Sequence, residues 1–379
     1  MLFQLSEEHL MIRKAARDFA QQECLPGVIE RDEKAQFPKE QIKKLGELGF
    51  MGMMVDPAYG GSGMDTISYV LAMEEISKVE ASVSVCMSVN NSLVCWGLEK
   101  YGTEAQKQKY LVPLAKGEVI GAFLLSEPEA GSDATSQRTV AEDKGDHYLV
   151  SGTKNWITNG ASASIYLVMA QTHASKGSHG INALIIERDT PGVTVGAKEN
   201  KMGIRASDTC SILFTDVRVP KENRIGDDGF GFSFAMKTLA GGRIGIASQA
   251  LGIASGAYER ALAYAKERKA FGTEIMNHQA IAFKLADMAT RIEASRLLIF
   301  KAAWEKDQGL DYTASSSMAK VYASETAMWV TTEAVQVHGG YGYVKEYHVE
   351  RMMRDAKITQ IYEGTSEVQR IVISRSILK

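Results

Sequence analysis

Hydrophobic positions recur at two different periods along the chain, and the change of period divides it into three parts. From Ser6 to about Lys116 the spacing is helical: Ile12, Ala16, Phe19 and Ala20 recur near one turn apart, Ser6 stands where an N-cap belongs, and Glu7 and Glu8 suit a first turn. Pro26-Gly27, Phe37-Pro38 and Tyr59-Gly60-Gly61-Ser62-Gly63 punctuate this stretch, which predicts a bundle of several helices. Between about Val119 and Gly226 short β-rich runs take over, separated by turn residues. Tyr148-Leu149-Val150, the runs 165–169 and 182–186, Val193-Thr194-Val195 and the run 210–214 read as strands. Their regular spacing predicts a small antiparallel barrel or sandwich. After Gly231 the helical pattern returns in long segments, notably 280–306 and 314–337, the latter stopped by His338-Gly339-Gly340. Short links between long helices imply antiparallel neighbours, as in a four-helix bundle. The predicted fold is α+β: an N-terminal helical domain (1–118), a middle antiparallel β-barrel-like domain (119–226) and a C-terminal helical bundle (227–379). No internal repeat or low-complexity linker separates them.

Composition narrows the function without naming it. The 379 residues are 45% hydrophobic and 23% charged, with a net charge of −3 and a pI near 6.2. That balance supplies no overall basic field for nucleic acid or an anionic membrane. The N-terminal run Met1 to Glu8 lacks the basic-then-apolar order of a secretory signal, and the longest apolar runs are interrupted well short of a membrane span, so a cytoplasmic protein, or the mature matrix form of a mitochondrial one, is expected. Cys24, Cys86, Cys95 and Cys210 are scattered as buried free thiols would be, and the seven histidines form no ligand pair. Neither a structural nor a catalytic metal is expected.

Candidate chemistry concentrates near the C-terminus, in Gln360-Ile361-Tyr362-Glu363-Gly364-Thr365-Ser366-Glu367. Ile361 and Tyr362 offer Glu363 a poorly solvated setting, which disfavours the charged carboxylate and raises its pKa toward that of an effective general base. Gly364 has no Cβ to block close approach, and Thr365 can cap a helix running through Glu367, Val368, Ile371 and Val372. In isolation, a glutamate before a glycine turn also fits solvated surface.

Four further clusters give the segment its context. They are Phe123-Leu124-Leu125-Ser126-Glu127-Pro128-Glu129-Ala130-Gly131-Ser132-Asp133; Gly152 to Gly160, including Trp156 and Thr158; Glu267-Arg268-Lys269-Ala270-Phe271-Gly272 with His278-Gln279; and Gln336-Val337-His338-Gly339-Gly340-Tyr341-Gly342. With Tyr362-Glu363-Gly364-Thr365 they stand in one order over essentially the whole chain, and the sequence resembles the acyl-CoA dehydrogenases, most closely the short-chain, butyryl-CoA branch. The resemblance implies an FAD enzyme of beta-oxidation type, usually a homotetramer built as a dimer of dimers. Such enzymes convert an acyl-CoA thioester to the trans-2-enoyl-CoA and pass electrons to an electron-transferring flavoprotein.

Carried over residue by residue, the resemblance makes Glu363 the base and places Phe123, Leu125, Ser126, Trp156 and Thr158 beside the flavin ring. Ser132 is assigned to cofactor and substrate together. Arg268 is matched to the FAD pyrophosphate and Phe271 to adenine, with Thr365 and Glu367 also at the cofactor. Gln279, Gln336, Gly339 and Gly340 match positions that bind FAD from a neighbouring subunit. Arg243 and Gly364 are assigned to the substrate side. Read alone, Trp156 is equally a core residue, Arg268 a solvated helix end, and Gly339-Gly340 a helix stop.

Some relatives carry the base on the residue before a helix arginine, which here is Gly242 before Arg243, so Glu363 carries the role. One departure lies beside it: relatives often read Asp-x-x-Arg, contacting CoA, where this chain has Ala240-Gly241-Gly242-Arg243. Ala270 likewise stands where some relatives have threonine. Three other readings compete. The first is an enoyl-CoA reductase running the same half-reaction backward, and the second an oxidase, which the missing C-terminal length of the acyl-CoA oxidases disfavours. The third is a nucleic-acid-binding branch of this fold, disfavoured by the charge. Ser317-Met318-Ala319-Lys320 fits the Ser-x-x-Lys of a serine hydrolase, but the companion motifs are absent, and packing of a small-residue helix face explains it better.

Overall fold

A computed structural model describes residues 4–378; Met1, Leu2 and Phe3 of the N-terminal run, and Lys379, lie outside the described residues. The first helix, Glu7–Phe19, starts on Ser6, whose hydroxyl accepts from His9 N–H at 3.1 Å while His9 Nδ1 accepts from Ser6 N–H at 3.3 Å. Histidine thus takes the reciprocal position that Glu or Gln usually fills in a capping box. Its apolar stripe, Ile12, Ala16 and Phe19, is buried, and the helix packs on Thr66–Ser77.

A continuous helical stretch then runs from Ala81 to Tyr101, with a π-helical segment at Val89–Cys95. Here the sequence reading needs correction: the stretch is long enough to cross a membrane and holds an 18-residue window with a mean hydropathy of 1.2, yet 94% of that window is buried inside the fold. Its two central asparagines have partners within the fold. Asn90 Nδ2 donates to Met51 O at 2.8 Å and Leu114 O at 3.1 Å, and Asn91 Nδ2 to Phe50 O at 2.8 Å. This is the central helix of a bundle, apolar all round because it is covered all round.

The middle sheet contains β1 (Gly121–Leu124), β2 (Val140–Asp143), β3 (His147–Ile157), β4 (Ile165–Gln171), β5 (Ile181–Glu187), β6 (Val193–Lys198), β7 (Cys210–Pro220) and β8 (Arg224–Ile225). Its order is β6-β7-β3-β2-β4-β5-β8, with β1 added on β4. The sheet is mixed rather than wholly antiparallel: β1 pairs with β4 in parallel, from Gly121 opposite Ile165 to Leu124 opposite Val168, and β2 touches β4 in parallel. The burial explains why alternation was invisible there. β4 is buried at every position and β5 at all but Glu187, whereas β7 alternates for much of its length.

The C-terminal part opens with a 37-residue helix, Gly231–Glu267, followed by Gln279–Asp307 and Thr313–His338. Two shorter helices, Val349–Ile358 and Ser366–Ile377, both pack on Thr313–His338 and make up the fourth member of the bundle. The 37-residue helix crosses Thr66–Ser77 so closely that a Cβ on Gly252 would lie 2.5 Å from that of Ser77. One continuous core runs through residues of all three parts.

Val349–Ile358 is held from several sides. Arg351 pairs with Asp355 at 3.0 Å and donates to Val79 O at 2.7 Å; Arg354 reaches Asp32 at 2.8 Å; Asp355 accepts from Ile204 N–H at 2.5 Å. The N-terminal helices and the loop before β7 therefore grip the helix that leads directly into Glu363.

Candidate active site

Below Ile358 the chain turns back on itself, and Glu363 sits in that turn with φ +51°, a left-handed conformation that costs a non-glycine residue on the order of 1 kcal/mol or more. Several bonds hold it. Gly364 follows at φ +90°, and Lys320 Nζ donates to its carbonyl at 2.6 Å. Gln369 Nε2 donates to the carbonyls of both Glu363 and Gly364 at 3.0 Å. Thr365 caps Ser366–Ile377, its hydroxyl accepting from Val368 N–H at 3.3 Å. Tyr362, just before the base, donates its hydroxyl to Gln249 Oε1 on the 37-residue helix.

Glu363 is half-buried, and one of its two carboxylate oxygens is enclosed. Glu363 Oε2 is buried without a hydrogen-bond partner, and a Cβ on Gly242 would press into it well inside van der Waals contact while meeting Leu93 Cδ2 at 2.7 Å. Burial raises the Glu363 pKa to about 7, against the attraction of Lys320 and then Arg243, which pull it down. The expected upward shift is therefore present, but its source differs from the sequence reading. Ile361 is 48% exposed and gives no shelter; Tyr362 is half-buried and acts electrostatically with the carboxylate, and the enclosure is completed by Leu93 and Gly242. The Glu363 N–H finds no acceptor among the described residues.

Two cations that face this carboxylate come from different helices. Arg243 is buried, donates from Nη1 to Ser317 Oγ at 3.2 Å and leaves Nε without a partner; burial lowers its pKa. Lys320 is fully buried, and burial pushes its pKa down to about 8. Ser317 and Lys320, one turn apart, are thus more than helix packing: they point a polar face of Thr313–His338 at the Glu363 turn. Ser317 Oγ donates to Thr313 O at 2.8 Å, so the pair makes no nucleophile. Ala240, one turn before Arg243, is buried.

A second group gathers where β1 and β3 end. Phe123 stacks on Phe234 with centroids 6.3 Å apart; Leu125 O accepts from Lys154 Nζ at 3.0 Å; Ser126 O accepts from Asn155 N–H at 2.9 Å. Lys154, fully buried and paired with Glu127 at 2.7 Å, stitches the two motifs together, a role that sequence alone did not assign. Trp156 is no core residue: it is 60% exposed, at φ +62°. The hydroxyls of Ser126 and Thr158 have no partner among the described residues, and Ser132 lies exposed with open space at Gly131. An exposed indole beside unsatisfied hydroxyls fits a flat heteroaromatic ring with a polar edge, as FAD presents.

The third group is on the surface of the C-terminal bundle. Arg268 lies over the Tyr341 ring at 5.5 Å, which brings it to the Gly339-Gly340 turn at the end of Thr313–His338. Phe271, 96% exposed at φ +52°, meets only the edge of His278, next to Gln279. Gln336, Gly339 and Gly340 are exposed, and the two glycines have open space beside them. Glu367 is exposed in the first turn of its helix. No hydrogen bond, ion pair or ring contact joins this surface group to the strand-end group among the described residues.

Comparison with known proteins gives one answer along the full length. Sequence models of the acyl-CoA dehydrogenase N-terminal, middle and C-terminal domains match residues 6–118, 122–217 and 229–378. A short-chain specific acyl-CoA dehydrogenase from Clostridium acetobutylicum is 52% identical, with both chains covered completely. A subunit of the caffeyl-CoA reductase–Etf complex of Acetobacterium woodii is 48% identical over 99% of each chain. The solved structure of butyryl-CoA dehydrogenase from Megasphaera elsdenii superposes with a TM-score of 0.99 at 50% identity, covering 100% of both chains.

Proposed function

The chain belongs to the acyl-CoA dehydrogenase family, and from that premise we propose that it oxidises a short-chain acyl-CoA thioester to the trans-2-enoyl-CoA with Glu363 as the base. It is an FAD-dependent oxidoreductase. The observation that carries the assignment is the pairing, on one residue, of a carboxylate with an enclosed, unpartnered oxygen, poised near neutrality, and a backbone N–H with no acceptor among the described residues.

A thioester α-proton is weakly acidic, so its removal needs a positioned base and a donor for the oxygen that gains charge. Glu363 Oε2 takes the proton, and the unused N–H of the same residue offers a hydrogen bond to the thioester oxygen. Arg243 and Lys320 hold positive charge beside the carboxylate without bonding it, so the oxygen stays available. Arg243 and Gly364 lie on the substrate side of the turn. Bound FAD supplies the two-electron acceptor for the β-hydrogen. Ser126, Thr158 and Trp156 would hold its ring, Phe123 and Leu125 would contribute from the strand, and Ser132 would serve cofactor and substrate. Thr365 and Glu367 flank the cofactor from the helix start. Arg268 would pair with the pyrophosphate and Phe271 with adenine, and Gln279, Gln336, Gly339 and Gly340 would reach the cofactor of a neighbouring subunit. The exposure of this last group on a single chain supports a homotetramer in which assembly and cofactor binding are linked. The same reading divides the chain into domains at 118/119 and 226/227 and places it in the cytoplasm.

An electron-transferring flavoprotein is the proposed redox partner, supported by the relative named as part of a reductase–Etf complex. That relative also favours a second reading, saturation of an enoyl thioester by the reverse half-reaction. Anaerobic titration of the FAD-loaded protein with acyl-CoA esters from propionyl to octanoyl tests the choice. Flavin bleaching strongest near butyryl-CoA supports the dehydrogenase; a yellow protein that no saturated ester bleaches points to the reductive direction or to another acyl carrier, where Ala240 replaces the usual acid.

A further inference from the structure

Lys320 is among the largest side chains that the fold buries completely, and among the described residues its ammonium makes a single hydrogen bond, to Gly364 O at 2.6 Å. Burying a cation is costly unless nearby groups favour its charge. A lysine needed only for packing would be better served by methionine or leucine, which fill similar space at no such cost. The bonded carbonyl belongs to the residue after the base, in a turn where Glu363 and Gly364 both have positive φ. Ser317, one helical turn away, receives Arg243 Nη1 at 3.2 Å, so one face of Thr313–His338 presents both cations to the turn.

We propose that Lys320 is a positioning residue of the reaction, fixing the Gly364 carbonyl so that the Glu363 turn keeps its left-handed shape while placing a positive charge beside the carboxylate. The inference rests on Glu363 being the base. Two separable effects follow. The hydrogen bond opposes relaxation of the turn, since losing it leaves Gly364 O bonded only to Gln369. The charge counteracts burial: Lys320 is the foremost group favouring Glu363 ionisation, ahead of Arg243. The other titratable groups facing the pair are Tyr69 and Tyr362 around Glu363, Glu367 near Lys320, and Tyr312 near Arg243. Burial raises the phenols of Tyr69, Tyr362 and Tyr312, so they stay neutral through the range in which Glu363 titrates.

The test uses FAD-loaded wild type, K320M, which removes bond and charge, and K320Q, which retains a donor but no charge. Flavin bleaching by butyryl-CoA is followed in the stopped flow from pH 5.5 to 9.5, and the Glu363 carboxyl is titrated by 13C NMR in labelled protein. The expected result is an upward move of the Glu363 midpoint by roughly one unit or more in both variants. The pH-independent rate should fall further in K320M than in K320Q. A midpoint unchanged in both, by NMR and by rate, overturns the proposal, as does a wild-type midpoint well above 8, which would mean that the cation does not act. If K320M fails to fold, K320Q and the wild-type titration still decide. A wild type that no acyl-CoA bleaches, but whose Glu363 midpoint moves in the variants, would count against the proposed reaction and not against the role of Lys320 in the turn.

Discussion

Adding one methyl group at Gly242 separates catalytic geometry from stability. A Cβ there overlaps Glu363 Oε2, meets Glu363 Cδ at 3.1 Å and Leu93 Cδ2 at 2.7 Å, so the carboxylate must retreat by about 1 Å to reach ordinary contact. A misplacement of that size at the reacting group lowers a rate by about 100-fold, equivalent to ~2.7 kcal/mol of lost transition-state stabilisation. Stability responds differently. Overpacking costs about 1–3 kcal/mol, while replacing glycine by alanine within a helix returns about 1 kcal/mol. G242A should therefore remain folded and yellow, melt within several degrees of wild type, and bleach with butyryl-CoA about 100-fold more slowly in anaerobic stopped flow. A G242A protein with full FAD content that bleaches within twofold of the wild-type rate would refute the claim that this glycine reserves the space of the base.

Glu363→Gln should keep FAD yet lose dehydrogenation by on the order of 10⁴-fold, checked by single-turnover bleaching. In wild type, kcat/KM should rise with pH through about 7 as Glu363 ionises. The stability sign is opposite: a carboxyl whose folded pKa is raised stabilises the fold most below its unfolded value near 4.5 and loses that contribution as pH rises through 7, so Glu363→Gln should melt higher than wild type at pH 8 and with a flatter pH dependence. Trp156→Ala should leave thermal stability of the FAD-free protein within about 1 kcal/mol, since the indole is mostly exposed, and should weaken FAD retention in equilibrium dialysis. Arg351→Met strands Asp355 in the interior and should cost about 3–5 kcal/mol in urea unfolding.

Much of the architecture was legible because its signals are local. The helices at 280–306 and 314–337 extend by only a residue at each end in the structure, since Gly339 stops one and His278 opens the other. The 37-residue helix was not singled out: Gly241, Gly242, Gly245, Gly252 and Gly256 lower its intrinsic propensity, and tertiary packing overrides that penalty. The parallel pairing of β1 with β4 left no trace in the pattern because β4 is buried on both faces. At the candidate site, the pKa rise of Glu363 was anticipated from apolar neighbours in sequence, yet the burial comes from Leu93 and Gly242, hundreds of residues away along the chain in one case and more than a hundred in the other. Lys320 could have been found only by asking why a buried helix face made mostly of Ala, Ser and Thr carries one lysine.

The ion pairs around Val349–Ile358 make the base a reporter of the whole subunit. Its helix is bonded to Val79 and Asp32 on one side and to Ile204 on the other, so opening of either region releases the support of the turn that follows. Local openings of a protein cost less than global unfolding. A subunit that has begun to come apart should therefore lose its base before its flavin-side strands melt, and fall silent as an enzyme while still largely folded.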